Sequence, residues 1–471
     1  MVLRCLAPAA TGGVVILVNM ATRSTSQRAS RAADARHTPE HVASGMPATS
    51  GGKRLISVEV LRLLAIVCIA VFHAFLQQYV QAIWMGPQPS AVDAANPVSA
   101  LAASRGAMWI VAMIMYCGAW GNHIFFMISG FFLIPRMCVA CRSDGYWKRQ
   151  LRSTGRRVAM ILATVVFYLL LIMAAGRLLA WERNAGGQSN LIYELEFVWL
   201  YLVFVAFAPV IAWVMGRLGI RASAVLTGIM LVAVYALNIY VACTWQAQYG
   251  QRSLLDWRKQ MSAVSYIASF ILAGLLGWAL REVNDRSESG RSESGRSESR
   301  RATARPLWAK RRFWTRGIII LIAAACAITG VMAMRPTYVA LYALSFKSTS
   351  LISFALAVCA LMAAACPPRH THGRGVSARV ESAVTALASG ILGFYVVQTL
   401  ARVLWEAVDA RFLQPLLVGA AALPAGSMLV LLGLLRWIAL GAVCSLAYVV
   451  VICLFDRFVR RPLLRAVHLS K

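Results

Sequence analysis

Charge is scarce in this chain. Of its 471 residues 14% are charged and 59% are hydrophobic, whereas soluble domains carry about 25% charged residues. With a mean hydropathy of +0.66, no soluble core accounts for the balance. Acidic residues are the rarer sign, 18 Asp and Glu against 47 Lys and Arg. The alternation expected of barrel strands is also missing, and no stretch between the apolar runs is long enough for a second folded domain. Cysteine number is not low, eleven, but most lie inside apolar stretches, where a small polarizable side chain packs. Cys138 and Cys141 form a CxxC with no second CxxC and no histidine pair nearby, so the sequence offers no metal site.

What is present is a series of apolar runs long enough to cross about 30 Å of hydrocarbon. Ten can be read, at 55–80, 107–135, 157–180, 196–216, 222–243, 262–281, 314–334, 347–366, 383–406 and 428–455. Their backbone must satisfy itself in lipid, so they are expected to be helices: an all-α, polytopic membrane bundle. The net charge of +29 would suggest nucleic acid in a soluble protein, but the basic residues alternate by loop. Lys and Arg crowd the tail to Arg54, the stretch from Arg136 to Arg157, that from Arg281 to Arg316 and the end after Asp456. The opposite loops are poor in them. This positive-inside pattern predicts both termini in the cytoplasm and no nucleic-acid partner.

Residues 1–52 hold many Ser, Thr, Ala, Gly and Arg residues and one short apolar run, Val14–Met20. They read as a disordered tail, or as a start site placed early, with Met46 the alternative start. Residues 53–465 form the membrane domain and 466–471 a C-terminal tail. Within 284–312, the five-residue repeat around Arg286-Ser-Glu-Ser-Gly is too polar to build a core and is expected to be a flexible cytoplasmic linker.

The first apolar run contains two ionisable residues, Arg62 and His73, and such groups are costly in hydrocarbon unless they face a protein interior or a wet cavity. Eleven positions at about 100° each bring them to within about 20° of one face, roughly 16 Å apart along the axis. Glu59 lies three residues before Arg62 and can pair with it. The two are expected to line a common passage, one near each end.

An Arg, ten residues, then His in the first span resembles the motif of the acyltransferase 3 family. Ser57-Val-Glu-Val-Leu-Arg-Leu-Leu-Ala-Ile66 is similar to that family's opening. Gly121-Asn-His-Ile-Phe-Phe-Met-Ile-Ser-Gly-Phe-Phe-Leu133 resembles its second-span signature. Tyr146-Trp-Lys-Arg-Gln-Leu-Arg, with Arg156 and Arg157, is similar to the basic entry to the third span. Val198-Trp-Leu-Tyr-Leu-Val-Phe, Ile267–Gly277 and Gly390-Ile-Leu-Gly-Phe-Tyr-Val-Val-Gln398 follow in the expected order. The resemblance covers roughly residues 53–465.

It implies a membrane O-acyltransferase that moves an acetyl or other short acyl group from a cytoplasmic acyl-coenzyme A, a co-substrate rather than a bound cofactor, to a glycan or lipid-linked saccharide beyond the outer face of a bacterial inner membrane. Imidazole suits the general base of such a step, which makes His73 the candidate, supported by Glu59, Asn122, His123, Ser129 and Gln398. Arg62 is the candidate anchor for donor phosphates, with Lys148, Arg149 and Arg152. Trp199, Tyr201 and Arg402 are candidates for an acceptor channel. Gln398 stands where relatives often carry His, and an amide cannot transfer a proton near pH 7; a late histidine's role would fall to His123 or be dispensable. The rival reading is a transporter of an anionic or acylated small molecule, with Arg62 and His73 as anion site and proton relay. A catalytically silent scaffold is a third.

Overall fold

The computed structural model describes residues 56–178, 195–244, 257–293, 306–345, 349–366, 377–388, 390–424 and 426–466. The predicted N-terminal tail and the last five residues lie outside this set. All regular structure among the described residues is helical. The main helices are α1 (Ile56–Met85), α2 (Arg105–Ala140), α3 (Tyr146–Leu178), α4 (Glu196–Thr244), α5 (Trp257–Glu293), α6 (Arg311–Ala333), α7 (Leu351–Ala365), α8 (Ala378–Ala388), α9 (Ile391–Leu400) and α10 (Met428–Phe455). Seven are long and apolar enough to cross a membrane, or eight if α8 and α9, bent by 40°, form one span. Serine hydroxyls of Ser104, Ser350 and Ser427 accept from backbone N–H groups in the first turns of α2, α7 and α10, capping donors that would otherwise be orphaned.

The ten predicted runs all fall on helices, but not one to one. The fourth and fifth are continuous in α4 except at Gly219, where φ is 80° and ψ 165°, a conformation glycine reaches without a Cβ penalty. Before that break α4 descends beside α2: Ala212 O accepts from Cys138 Sγ at 3.3 Å and Gly216 meets Cys141. After it, Asn238 Nδ2 donates to Ser265 Oγ of α5 at 2.9 Å. α7, at 15 residues, covers only about 22 Å. The expected linker at 284–312 is shorter than read: α5 continues through Glu293, and Glu282 pairs with Arg286 one turn on at 3.1 Å, an i,i+4 contact that supports a helix. Residues 294–305 lie outside the described set.

Small residues set the heart of the bundle. α1 and α2 run antiparallel, Gly118 against the Phe72 ring and Gly121 against Ala65 and Ile69, where an added Cβ would lie 2.6 Å from the Ala65 carbonyl oxygen. α2 and α5 run parallel, Gly130 against the Phe270 backbone and Gly274 against Ile134. In lipid there is little hydrophobic drive between helices, so backbone approach of this kind supplies the packing. At the C-terminal end of α10 the chain makes a π turn, Asp456–Arg460, that closes a buried network. Arg460 Nη2 donates to Asp456 Oδ2 at 2.9 Å, its Nη1 to Thr164 Oγ1 at 2.9 Å, and Tyr168 Oη donates to Asp456 Oδ1 at 2.9 Å. Gly393 of α9 lies directly over the Asp456 carboxylate, so α3, α9 and α10 are tied at one point.

Two stability predictions follow from these contacts. Gly130→Ala drives a methyl into the Phe270 backbone and should lower stability by about 1–3 kcal/mol, while Gly155→Ala, which meets open space on α3, should be neutral or stabilise by up to about 1 kcal/mol; thermal unfolding in detergent ranks them. Arg460→Met strips the main partner from a fully buried carboxylate and should cost on the order of 3 kcal/mol, and the double variant with Asp456→Asn should recover part of that. Equal unfolding temperatures for the single and double variants would show that the pair carries no coupling.

Candidate functional site

α1 presents its two ionisable residues to different surroundings on one face. Arg62 Nη1 donates to Glu59 Oε2 at 3.1 Å, with the Arg62 side chain 30% exposed and that of Glu59 12%. His73 is exposed, its ring edge-on to Phe72 at 4.9 Å between centroids. Val60 and Leu64, exposed apolar residues of the N-terminal half, sit roughly opposite Arg62 and His73 on the helical wheel, while the exposed Trp84, eleven positions after His73, shares its face. The face that carries the pair is buried between them: Ile66 and Ile69 are each 1% exposed, packed in one cluster with Ile161 and Val165 of α3 and Phe394 and Tyr395 of α9. The expected common passage is therefore filled by side chains at its middle.

Asn122 lies near the level of Ile69 and joins α2 to α9, its Oδ1 accepting from Tyr395 Oη at 3.2 Å. Gln398, half-buried, follows Tyr395 by three residues on α9 and shares its face. Tyr395 in turn stacks on Phe197 at 4.3 Å and packs against Phe125 at 5.0 Å. His123 is turned away from this group. It is fully buried between α2, α5 and α7, with Nδ1 2.8 Å from Ser269 Oγ and its ring edge-on to Tyr266 and Phe354. Adjacent residues on a helix point about 100° apart, so Asn122 and His123 do not serve one cluster. His123 is thus not placed beside Gln398 to replace a late histidine.

Ser129 Oγ donates back to the Phe125 carbonyl at 3.2 Å and lies 3.4 Å from Tyr201 Oη. This is the local back-bonding common for serine within helices, without a base beside it. Tyr201 and the half-buried Trp199 lie deep on the first turns of α4, whereas Arg402 is exposed at the far end of α9; the three predicted channel residues are not brought together. Lys148, Arg149 and Arg152 are exposed at the start of α3, and Arg149 donates to Ser143. The arginines turned inward are others. Arg157 lies within electrostatic reach of Tyr201 and Arg136, and Arg281 within reach of Arg136 and Asp285. Arg157 Nη1 is buried with no hydrogen-bond partner among the described residues.

Outward of His73, α1 turns polar. Gln77 and Gln81 follow it at i+4 and i+8 and line an open cleft of about 490 Å³ with Gln78, Asn96 and Gln414. Across the cleft stand Arg402, Glu406 and Asp409. Arg402 Nε donates to Glu406 Oε1 at 2.6 Å and Gln414 Nε2 to Asp409 Oδ2 at 2.8 Å. Burial, with Glu406 nearby, raises the Asp409 carboxyl above its ordinary value, and the Gln414 amide offsets part of that. A π turn, Asp409–Leu413, aims this segment; such turns recur at functional sites. The spacing of three glutamines after His73 is the sequence signal that would have found the cleft. Asp409 and Gln414, brought in from another part of the chain, left none.

No curated protein and no solved structure matches the chain. A family model described as an acyltransferase domain matches residues 55–456, which takes in α1 with Arg62 and His73, the Asn122–Tyr395 link and the cleft. The chain belongs to the acyltransferase 3 family and is an acyltransferase.

Proposed function

We propose that the protein transfers an acetyl or similar short acyl group from a cytoplasmic acyl-coenzyme A to a hydroxyl of an extracytoplasmic glycan, in a bacterial inner membrane that it crosses with both termini inside. The observation that carries this reading is the course of one face of α1: an ion-paired arginine, two sealed isoleucines, an exposed imidazole and then a run of carboxamides. A charged donor and a polyhydroxylated acceptor would approach such a face from opposite ends.

His73 takes the proton of the acceptor hydroxyl as its oxygen attacks the thioester carbonyl. The C–S bond breaks as the new C–O ester bond forms, and the proton held by His73 passes to the coenzyme sulfur, which leaves as the thiol toward the inner side. The base needs access to both substrates, which fits its exposure above the Ile66–Ile69 seal. Asn122, held by Tyr395, and Gln398 on the same face of α9 supply neutral hydrogen-bonding groups rather than a second base. On the inner side Arg62 is poised to exchange Glu59 for a donor phosphate. Arg157, with a buried donor unsatisfied, and the half-buried Arg281 form a more inward pair than Lys148, Arg149 and Arg152, whose exposure suits attraction of the donor rather than its seat. Ile66 and Ile69 must part for the pantetheine arm to pass, so donor binding is coupled to opening of the α1–α3–α9 contact.

His73→Ala is expected to abolish acylation of a glycan acceptor, followed by radiolabelled acetyl transfer, with the unfolding temperature unchanged. Wild-type transfer by that variant would refute the assignment. Arg62→Ala should raise the KM for acetyl-coenzyme A by about tenfold or more, the loss expected of a charge-assisted phosphate contact of roughly 1.5–3 kcal/mol, and reduce thermal stabilisation by the donor; a change in kcat alone would place Arg62 in the chemical step instead.

A further inference from the structure

The cleft beyond His73 has an unusual inventory for a membrane protein. Its lining is mostly carboxamide and carboxylate, with Arg402, Pro97 and Val98 beside them, and its volume falls within the roughly 300–1,000 Å³ of small-ligand sites. Two of its acceptors are unsatisfied among the described residues: Gln78 Oε1 and Asp409 Oδ1 are buried and accept no hydrogen bond. Gln78 is only 6% exposed. Both atoms are closed to solvent, so a ligand in the cleft meets the amide and carboxylate groups around them rather than these two oxygens.

Charge narrows the class further. The arginine of the cleft is already held by Glu406 at 2.6 Å. The only other charged residue lining it is Asp409, whose partner Gln414 is neutral. An anionic ligand would find no unengaged cation and would meet two carboxylates. A ligand with several O–H donors and no charge meets complementary groups on every side. Gln77, one helical turn outward of His73, places the inner end of such a ligand next to the imidazole.

We propose that this cleft is the acceptor site, that it seats an uncharged sugar ring whose hydroxyls hydrogen-bond with the amides and carboxylates of its wall, and that it rejects acidic sugars. The assignment rests on the reading of the protein as a glycan acyltransferase, but binding in the cleft is measured without turnover. Full-length protein in nanodiscs is titrated by saturation-transfer NMR with the methyl glycosides of glucose, galactose and mannose, and with the methyl glycosides of glucuronic and galacturonic acid. At least one neutral glycoside should bind, with the glucuronate and galacturonate at least tenfold weaker than their neutral parents. Gln81→Ala combined with Asp409→Asn should weaken the neutral ligand about tenfold or more.

Uronates that bind as well as their neutral parents, a double variant that binds like wild type while unfolding at the same temperature, or an absence of binding by every glycoside would each overturn the proposal. The two readings fail separately. Neutral glycosides held in the cleft but never acylated would sink the transferase reading and leave the binding site standing, whereas efficient acylation of uronate acceptors would do the reverse.

Discussion

Close approach between α2 and its neighbours sets the rotation of α1, and with it everything at the site. Gly118 and Gly121 leave no room for a side chain against Phe72, Ala65 and Ile69. Ile69 lies at the edge of that strip, and the adjoining strip with Arg62, Ile66 and His73 borders the cluster that α1 shares with α3 and α9. The same device on another face of α2, Gly130 against Phe270, brings in α5 and buries His123 against Ser269. Packing through small residues thus decides which of two histidines is open to a ligand. The buried Asp456–Arg460 pair then fixes α9 by holding Gly393 over its carboxylate, and α9 carries Tyr395 and Gln398.

The arrangement separates two chemical environments along one helix. Before Ile66 stands the Arg62–Glu59 ion pair; beyond Ile69 follow the imidazole of His73 and the amides and carboxylates of the cleft. A permanent open channel through this point would leak ions, whereas two well-packed isoleucines seal it. Opening them only when a donor is present would confine the wet state to the reaction. The cost is the loss of their packing, a few kcal/mol for two large side chains, comparable to what charge-assisted phosphate contacts can supply.

Much of the bundle was legible from composition and run length, because a membrane allows few alternatives to helices. Arg62 and His73 stood out for the same reason: each is expensive where it lies. Run length did not reveal that α4 is broken only at Gly219, nor that α7 is short, since both depend on how ends meet neighbours. The helical continuation of the repeat to Glu293 escaped a reading by polarity alone. At the site, residue type suggested a cluster of Asn122, His123 and Gln398, but adjacent residues on a helix point apart, and the face each takes is fixed by tertiary contacts. Likewise the basic run entering α3 was visible, while the turning of Arg157 inward and Lys148, Arg149 and Arg152 outward was not. The cleft combines residues more than 300 positions apart, and only folding brings Asp409 to Gln78.

The most direct test of the central claim, that donor and acceptor meet at His73 from opposite sides of the membrane, is sidedness of transfer in proteoliposomes of defined orientation. With labelled acetyl-coenzyme A confined to the side of the basic loops and the glycan acceptor to the other, wild-type protein should place the label on the acceptor. Transfer that proceeds only when both substrates share one side would contradict the account.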